Sequence, residues 1–189
     1  MARPNVVLCG SIGAGKSWLA DYLVKARGYA VVNFADKLKA VAADVFGLER
    51  RHVYGTQADK TEPILHVRDA AGLPQTGRGI LEWLGTEGFR TLDPDVWVKF
   101  ALRTMREQNA VGIPVVIGDG RFPNEFVAIR ALGGEVWKVV KVSPDPEQRT
   151  GHPSDELWRA IPADFVLVAN AGDTASLARQ ADRRLGFVL

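Results

Sequence analysis

Four apolar residues in a row, Val6 to Cys9, run into the stretch CGSIGAGKS, and beyond it apolar positions recur every third or fourth residue. A short uninterrupted run closed by glycines predicts a strand buried on both faces. Leu19, Tyr22, Leu23 and Ala26 then share one side of a helix over Lys16–Arg27, which Gly28 ends. Tyr29–Val32 reads as a second strand. Leu38, Val41, Ala42 and Val45, extended by Phe46, predict a helix over Asp36–Val45 stopped by Gly47. From Arg50 to Gly79 the periodicity disappears among charges and turn formers, so short helices or the lining of a binding flap are expected there.

Ile80, Leu81, Trp83 and Leu84 open another helix. DPDVWVKFALRTMREQ predicts a further one, with Pro94 near its first turn behind Asp93 and with Trp97, Phe100, Ala101 and Met105 inward. Thr104 shares that inward face. Pro114–Ile117 is a third strand. Phe126, Val127, Ile129, Ala131 and Leu132 belong to a helix closed by Gly133 and Gly134, Val136–Val142 and Phe165–Val168 are strands, and Thr174–Leu185 is a final helix. Strands alternating with helices predict a parallel α/β architecture, with ligands at the carboxyl ends of the strands. The periodicity of Trp83, Trp97, Trp137 and Phe100 assigns them to the core.

Composition narrows this little. A chain of 189 residues suits one domain, over 1–189, and a net charge of +2 excludes a broad basic face for nucleic acid. LERRH, the most basic segment, reads as a solvated helix end. Nothing in MARPNVVLCG is long enough for a signal peptide, and no apolar run spans a membrane, so a soluble cytoplasmic protein is expected. The single cysteine, Cys9, falls at the end of the first strand and reads as a buried packing residue. With His52, His66 and His152 widely separated, no zinc cluster has familiar spacing.

The chemistry begins at Gly10–Ser17, which fits G-x-x-x-x-G-K-[ST] between a strand and a helix. In such a phosphate loop, successive N–H groups around Gly10, Ser11, Gly13, Ala14 and Gly15 turn toward a polyphosphate. Lys16 neutralises its β/γ oxygens, and Ser17 offers a hydroxyl to Mg²⁺. Asp119 follows the apolar run VVIG and is the candidate carboxylate for the metal or a metal-bound water. N-K-x-D and D-x-x-G elements of a GTP switch are absent. Arginines in several loops, Arg78, Arg90, Arg121 and Arg149, instead fit transfer to an acceptor that is itself anionic, because a planar guanidinium holds two phosphate oxygens at once.

FADKLK, GRGILEWLGTEGFR, the following DPDVWVK and GDGRFPNE together resemble the deoxynucleoside monophosphate kinases of tailed bacteriophages, over nearly the whole chain. The resemblance implies a P-loop three-layer sandwich with a mostly parallel five-stranded sheet, an acceptor-binding insertion near 49–90 and a lid near 144–160. It implies transfer of a phosphoryl group from ATP to a deoxynucleoside 5′-monophosphate. Asp36 and Lys39 would line the acceptor side, with Arg78, Thr86 and Arg90 near its phosphate. Asp119, Arg121, Asn124 and Glu125 would form the corner beside the phosphate loop, Arg149 would close over the donor, and Asn170 and Gly172 would lie by the adenine.

Two positions depart from the family pattern: Glu82 stands where Gln is usual, which bears on base contact, and Gly120 where a branched apolar residue is usual. Phe34 or Trp18 would be the rings available to stack on a base, and a homodimer is plausible by analogy. Competing readings are another small-molecule kinase, such as a dephospho-coenzyme A or sugar kinase, and a non-catalytic ATP-binding accessory to replication.

Overall fold

Val6–Cys9 is buried at every position because it lies between two other strands with side chains packed on both faces. The computed structural model of the chain describes residues 3–142 and 157–187. In chain order its elements are β1 (Val6–Cys9), α1 (Lys16–Arg27), β2 (Ala30–Val31), α2 (Asp36–Phe46), α3 (Arg50–Tyr54), α4 (Gln57–Thr61), β3 (Pro63–Arg68) and β4 (Pro74–Thr76). There follow α5 (Gly77–Trp83), a π-helical turn (Leu84–Gly88), α6 (Phe89–Leu92), α7 (Val96–Ala110), β5 (Val115–Ile117), α8 (Pro123–Ala131), β6 (Glu135–Val142), a 3₁₀ turn (Trp158–Ala160), β7 (Phe165–Asn170) and α9 (Thr174–Leu185). Among the described residues no helix is long and apolar enough to cross a membrane.

The chain divides into two compact units, Met1–Asn33 with Ala101–Leu189, and Phe34–Phe100. The first holds a five-stranded sheet in the order β2-β5-β1-β6-β7, every pairing parallel. Helices flank it as the middle sheet of a three-layer α/β sandwich. Val6, Leu8, Trp137, Val139 and Leu167 of the sheet pack with Leu19 and Leu23 of α1 and Leu177 and Ala181 of α9. On the edge strand β7, burial alternates, with Leu167 and Ala169 inside and Val166 and Val168 outside. The side-chain amide of Gln180 covers that edge, accepting from the Val168 N–H and donating to its carbonyl.

α1 and α9 are further joined by Asp182, which is 2% exposed. Its carboxylate accepts from Arg27 Nε at 2.6 Å, Arg27 Nη2 at 2.7 Å and the Tyr22 hydroxyl at 2.7 Å. A carboxylate in the last turn of a helix opposes the helix dipole. The Arg27 guanidinium offsets this and holds the Asp182 carboxyl below its ordinary range.

The second unit contains the stretch without periodicity. It folds as α3, α4 and an antiparallel hairpin, β3 with β4, and only the helices were foreseeable. Trp83, assigned to the core by periodicity, is exposed, whereas Trp97 and Trp137 are buried as expected. Pro94 stands just ahead of α7, near its first turn as expected, in a turn where the Asp93 carboxylate accepts from the Asp95 N–H at 3.0 Å. Cys9 is fully buried, and desolvation pushes its thiol up to about 11, which keeps it protonated and unreactive at neutral pH.

Asp182→Ala removes the carboxylate that pairs with Arg27 and is expected to cost about 2 kcal/mol, less than a fully buried pair because Arg27 is partly solvated. Urea denaturation at pH 7 measures this, and an unchanged midpoint would show the clasp contributes nothing.

Candidate functional site

The turn leaving β1 is packed so tightly that a side chain at its first position has no room. Gly10 has φ 144°, and a Cβ there would lie 2.2 Å from the Val139 carbonyl oxygen of neighbouring β6. The chain passes through half-buried and buried positions, Ser11 and Ala14 inside and Gly13 exposed, before Gly15, at φ 99°, turns it into α1. Lys16 folds back over this loop, its Nζ donating to the Gly10 carbonyl at 2.8 Å and the Ser11 carbonyl at 2.7 Å. Ser17 follows on the exposed side of the first helical turn.

Lys16 also reports what lies around it. Burial first, and then the like charge of Arg121, bring its ammonium down to about 8, against the opposing fields of Cys9 and Asp119. Asp119 and Arg121 come from the carboxyl end of β5, which lies beside β1 in parallel register, Val7 opposite Ile117. The sheet order thus brings one cation, one carboxylate and the phosphate loop to one edge.

Two side chains shape the backbone that carries Asp119 and Arg121. Asn33 Oδ1 accepts from the Gly118 N–H at 3.1 Å, tying the residue after β5 to the end of β2. Glu125, 2% exposed, accepts from the N–H groups of Arg121 at 2.7 Å and Phe122 at 2.9 Å. This satisfies orphan donors at the start of α8, with Pro123 at its first position and the half-buried Asn124 next. Gly120 is explained by space. A Cβ would approach Val7 Cγ2 to 2.6 Å and Phe126 Cε1 to 2.9 Å, so the branched residue usual in the resembled family does not fit this backbone.

Asn170 and Gly172 lie at the carboxyl end of β7. Gly172, at φ 83°, forms a turn in which the Asp173 N–H donates to the Asn170 carbonyl, and Asp173 Oδ1 caps α9 through the Ser176 N–H. Trp18 stacks on Tyr22 with ring centroids 5.4 Å apart, and Phe34 is buried, so Phe34 has no face available for a base. Arg149, His152 and most of the expected lid lie outside the described residues.

In the second unit, Asp36 and Lys39 stand in the first turn of α2. Lys39 Nζ lies 5.1 Å from the centroid of the Tyr54 ring, and the Arg50 guanidinium 4.8 Å from it. Arg78, Glu82, Thr86 and Arg90 follow at four-residue intervals along α5, the π-turn and α6. In an uninterrupted α-helix, at about 100° per residue, Arg90 would stand about 120° round from Arg78. The π-turn takes in one extra residue and sets the helix back by about 100°, which returns both arginines to one side. The turn is held by the Trp97 indole, whose Nε1 donates to the Gly85 carbonyl at 3.2 Å, while Arg90 Nη1 donates to the Pro94 carbonyl at 3.0 Å. Arg78 Nη2 donates to Gln57 Oε1, and its Nη1 lies 4.0 Å from Glu82 Oε1. Asn33 and Gln57 belong to no motif, and only the structure connects them, and the Trp97 indole, to the site residues.

No protein-family model matches the chain. A protein of Acanthamoeba polyphaga mimivirus, provisionally named a deoxynucleotide monophosphate kinase, is 32% identical over 175 residues that cover 86% of each chain. The chain belongs to the deoxynucleotide monophosphate kinase family. Solved structures similar to this family member include a protein of Thermus thermophilus, 19% identical, covering 99% of each chain with a TM-score of 0.50. A sugar kinase from Janibacter sp. HTCC2649 is 13% identical, covering 98% of this chain and 96% of its own, with a TM-score of 0.51. At such identities the likeness shows the fold alone, an α/β three-layer sandwich.

The lowered Lys16 value carries a stability consequence in this kinase family member. Between pH 8 and 10.5 the unfolded chain holds the lysine proton more fully than the native state does, so this group makes stability rise with pH. Cys9, raised from 9.0 to about 11, and Tyr29, raised from 10.0 to about 12, act in the opposite direction as pH rises above their ordinary values. The difference between wild type and Lys16→Met isolates the lysine. In urea denaturation it is expected to move in favour of wild type from pH 8 to 10.5, and parallel curves would refute the assignment.

Proposed function

We propose that the protein transfers the γ-phosphoryl group of ATP to a deoxynucleoside 5′-monophosphate, giving the diphosphate and ADP. The observation that carries the reading is the phosphate loop with Lys16 held beside Asp119 and Arg121, in a chain of this family. In the reaction an oxygen of the acceptor phosphate attacks the γ-phosphorus, and the bond from that phosphorus to the β–γ bridging oxygen breaks, its electrons leaving with ADP. No general base is required, because the attacking oxygen is already anionic.

Gly10, Ser11, Gly13, Ala14 and Gly15 would surround the donor phosphates with N–H groups, and Lys16 would exchange its two backbone carbonyls for β/γ oxygens. Asn170 and Gly172 would lie on the adenine side. The Ser17 hydroxyl and the Asp119 carboxylate are hard oxygen donors of the kind Mg²⁺ takes and would hold it. That ion, when bound, neutralises charge on the β- and γ-phosphates. Arg121, Arg149 and Arg90 would stabilise charge on the transferring group.

Asp36 and Lys39 would line the acceptor side, with Arg78, Thr86 and Arg90 at its phosphate. The π-turn supports this assignment, since such turns concentrate at functional positions and this one aligns the two arginines. Asn124 is assigned to the same corner as Arg121. Glu125 would serve the acceptor indirectly, through the backbone N–H groups it holds.

Lys16→Ala is expected to lower transfer about a hundredfold while leaving the fold intact. Steady-state ADP release with each deoxynucleoside monophosphate, with a no-acceptor control and with dephospho-coenzyme A and sugars as rival acceptors, measures both activity and acceptor class. Turnover near wild type in Lys16→Ala, or ADP release that no deoxynucleotide stimulates, would overturn the reading.

A further inference from the structure

Arg78 is held by its neighbours in a direction that does not satisfy its own hydrogen-bonding groups. Its Nη2 donates to Gln57 Oε1, its Nη1 lies 4.0 Å from Glu82 Oε1, and its Nε is buried with no hydrogen-bond partner. A buried donor left unpaired is costly, and a surface arginine free to choose would rotate to avoid it. The contact with Gln57 therefore imposes an orientation that serves something other than the arginine's own solvation.

Both residues of this contact stand at helix starts. Gln57 is the first residue of α4, whose start is fixed by a reciprocal cap. The Asp59 carboxylate accepts from the Thr56 N–H at 2.7 Å, and the Asp59 N–H donates to Thr56 Oγ1 at 3.2 Å. Arg78 is the second residue of α5, and the residue before it, Gly77, packs against α3 so closely that a Cβ would fall 2.1 Å from the His52 carbonyl oxygen. One end of the Gln57–Arg78 contact thus sits on a capped helix start and the other next to closely packed backbone. Glu82, one helical turn beyond Arg78, lies on the guanidinium's other side.

We propose that Gln57 is a positioning residue that fixes the direction in which the Arg78 guanidinium is offered to the phosphate of the acceptor monophosphate. The inference rests on the kinase reading and gives that site a residue outside every motif in the chain. Gln57 supplies a neutral acceptor, which orients the guanidinium without cancelling its charge, whereas a carboxylate in its place would compete with the phosphate. Glu82 is, on this reading, a partner of Arg78 at a distance too long for a strong pair.

Gln57 is exposed, so Gln57→Ala leaves the core untouched. It is expected to raise KM for the deoxynucleoside monophosphate about tenfold, with kcat and the KM for ATP unchanged within about twofold. If Gln57 acts through Arg78, adding Gln57→Ala to Arg78→Ala produces no further rise. Additive losses in that cycle, or an acceptor KM for Gln57→Ala within twofold of wild type, overturn the proposal.

A second measurement is independent of activity. In the ligand-free protein the Arg78 Nε–Hε NMR signal, assigned by its loss in Arg78→Ala, is expected to move in Gln57→Ala. A signal that does not move overturns the positioning role. A wild type that phosphorylates no deoxynucleotide overturns the kinase reading instead, and the NMR result still decides whether Gln57 orients Arg78.

Discussion

The contact between the turn after β1 and the backbone of β6 governs the first unit. Because the Gly10 position leaves no space for a side chain beside the Val139 carbonyl, the chain leaves the sheet in one direction only. That direction carries Gly15 to the start of α1 and sets Lys16 over the loop, where two carbonyl oxygens accept from its ammonium. Burial and Arg121 together make this cation less comfortable than an ordinary lysine, and Asp119 only partly compensates. A cation so placed gains from any polyanion bound in the loop, which is how a packing constraint becomes a binding preference.

The corner at the end of β5 follows a different rule. Its chemistry-bearing side chains, Asp119 and Arg121, project from backbone whose own N–H groups are satisfied by Asn33 and Glu125. Glu125 is buried, so its carboxylate depends on those donors as much as they depend on it. Gly120 completes the arrangement by allowing the chain to lie directly on Val7 and Phe126. The departure from the resembled family at this position therefore accompanies a closely packed backbone.

In the second unit the ordering principle is helical phase. One π-turn, stabilised by the Trp97 indole at the Gly85 carbonyl, changes which residues of a continuous helix share a side. It brings Arg78 and Arg90 to one side. Trp83 ends α5 ahead of the π-turn, so its exposure follows from the side of α5 it occupies and not from that shift.

Strand and helix identities, the phosphate loop and the carboxylate after β5 were legible in the chain because each depends on spacing within a few residues. The same locality explains what was not legible. Arg50–Gly79 has little period, since α3 and α4 are too short to show one and the β3–β4 hairpin is irregular in register. The adjacency of β5 to β1, the role of Asn33, and the contact of Gln57 with Arg78 arise from hydrogen bonds and close approaches between segments distant in sequence. The sequence by itself determined that a glycine-rich turn carrying Lys16 follows the first strand, and which strand and helix frame it. Only the tertiary structure decided which charges surround it and how the arginines are aimed, because those depend on strand order, on one extra residue in a helical turn, and on where a backbone leaves no room for a side chain.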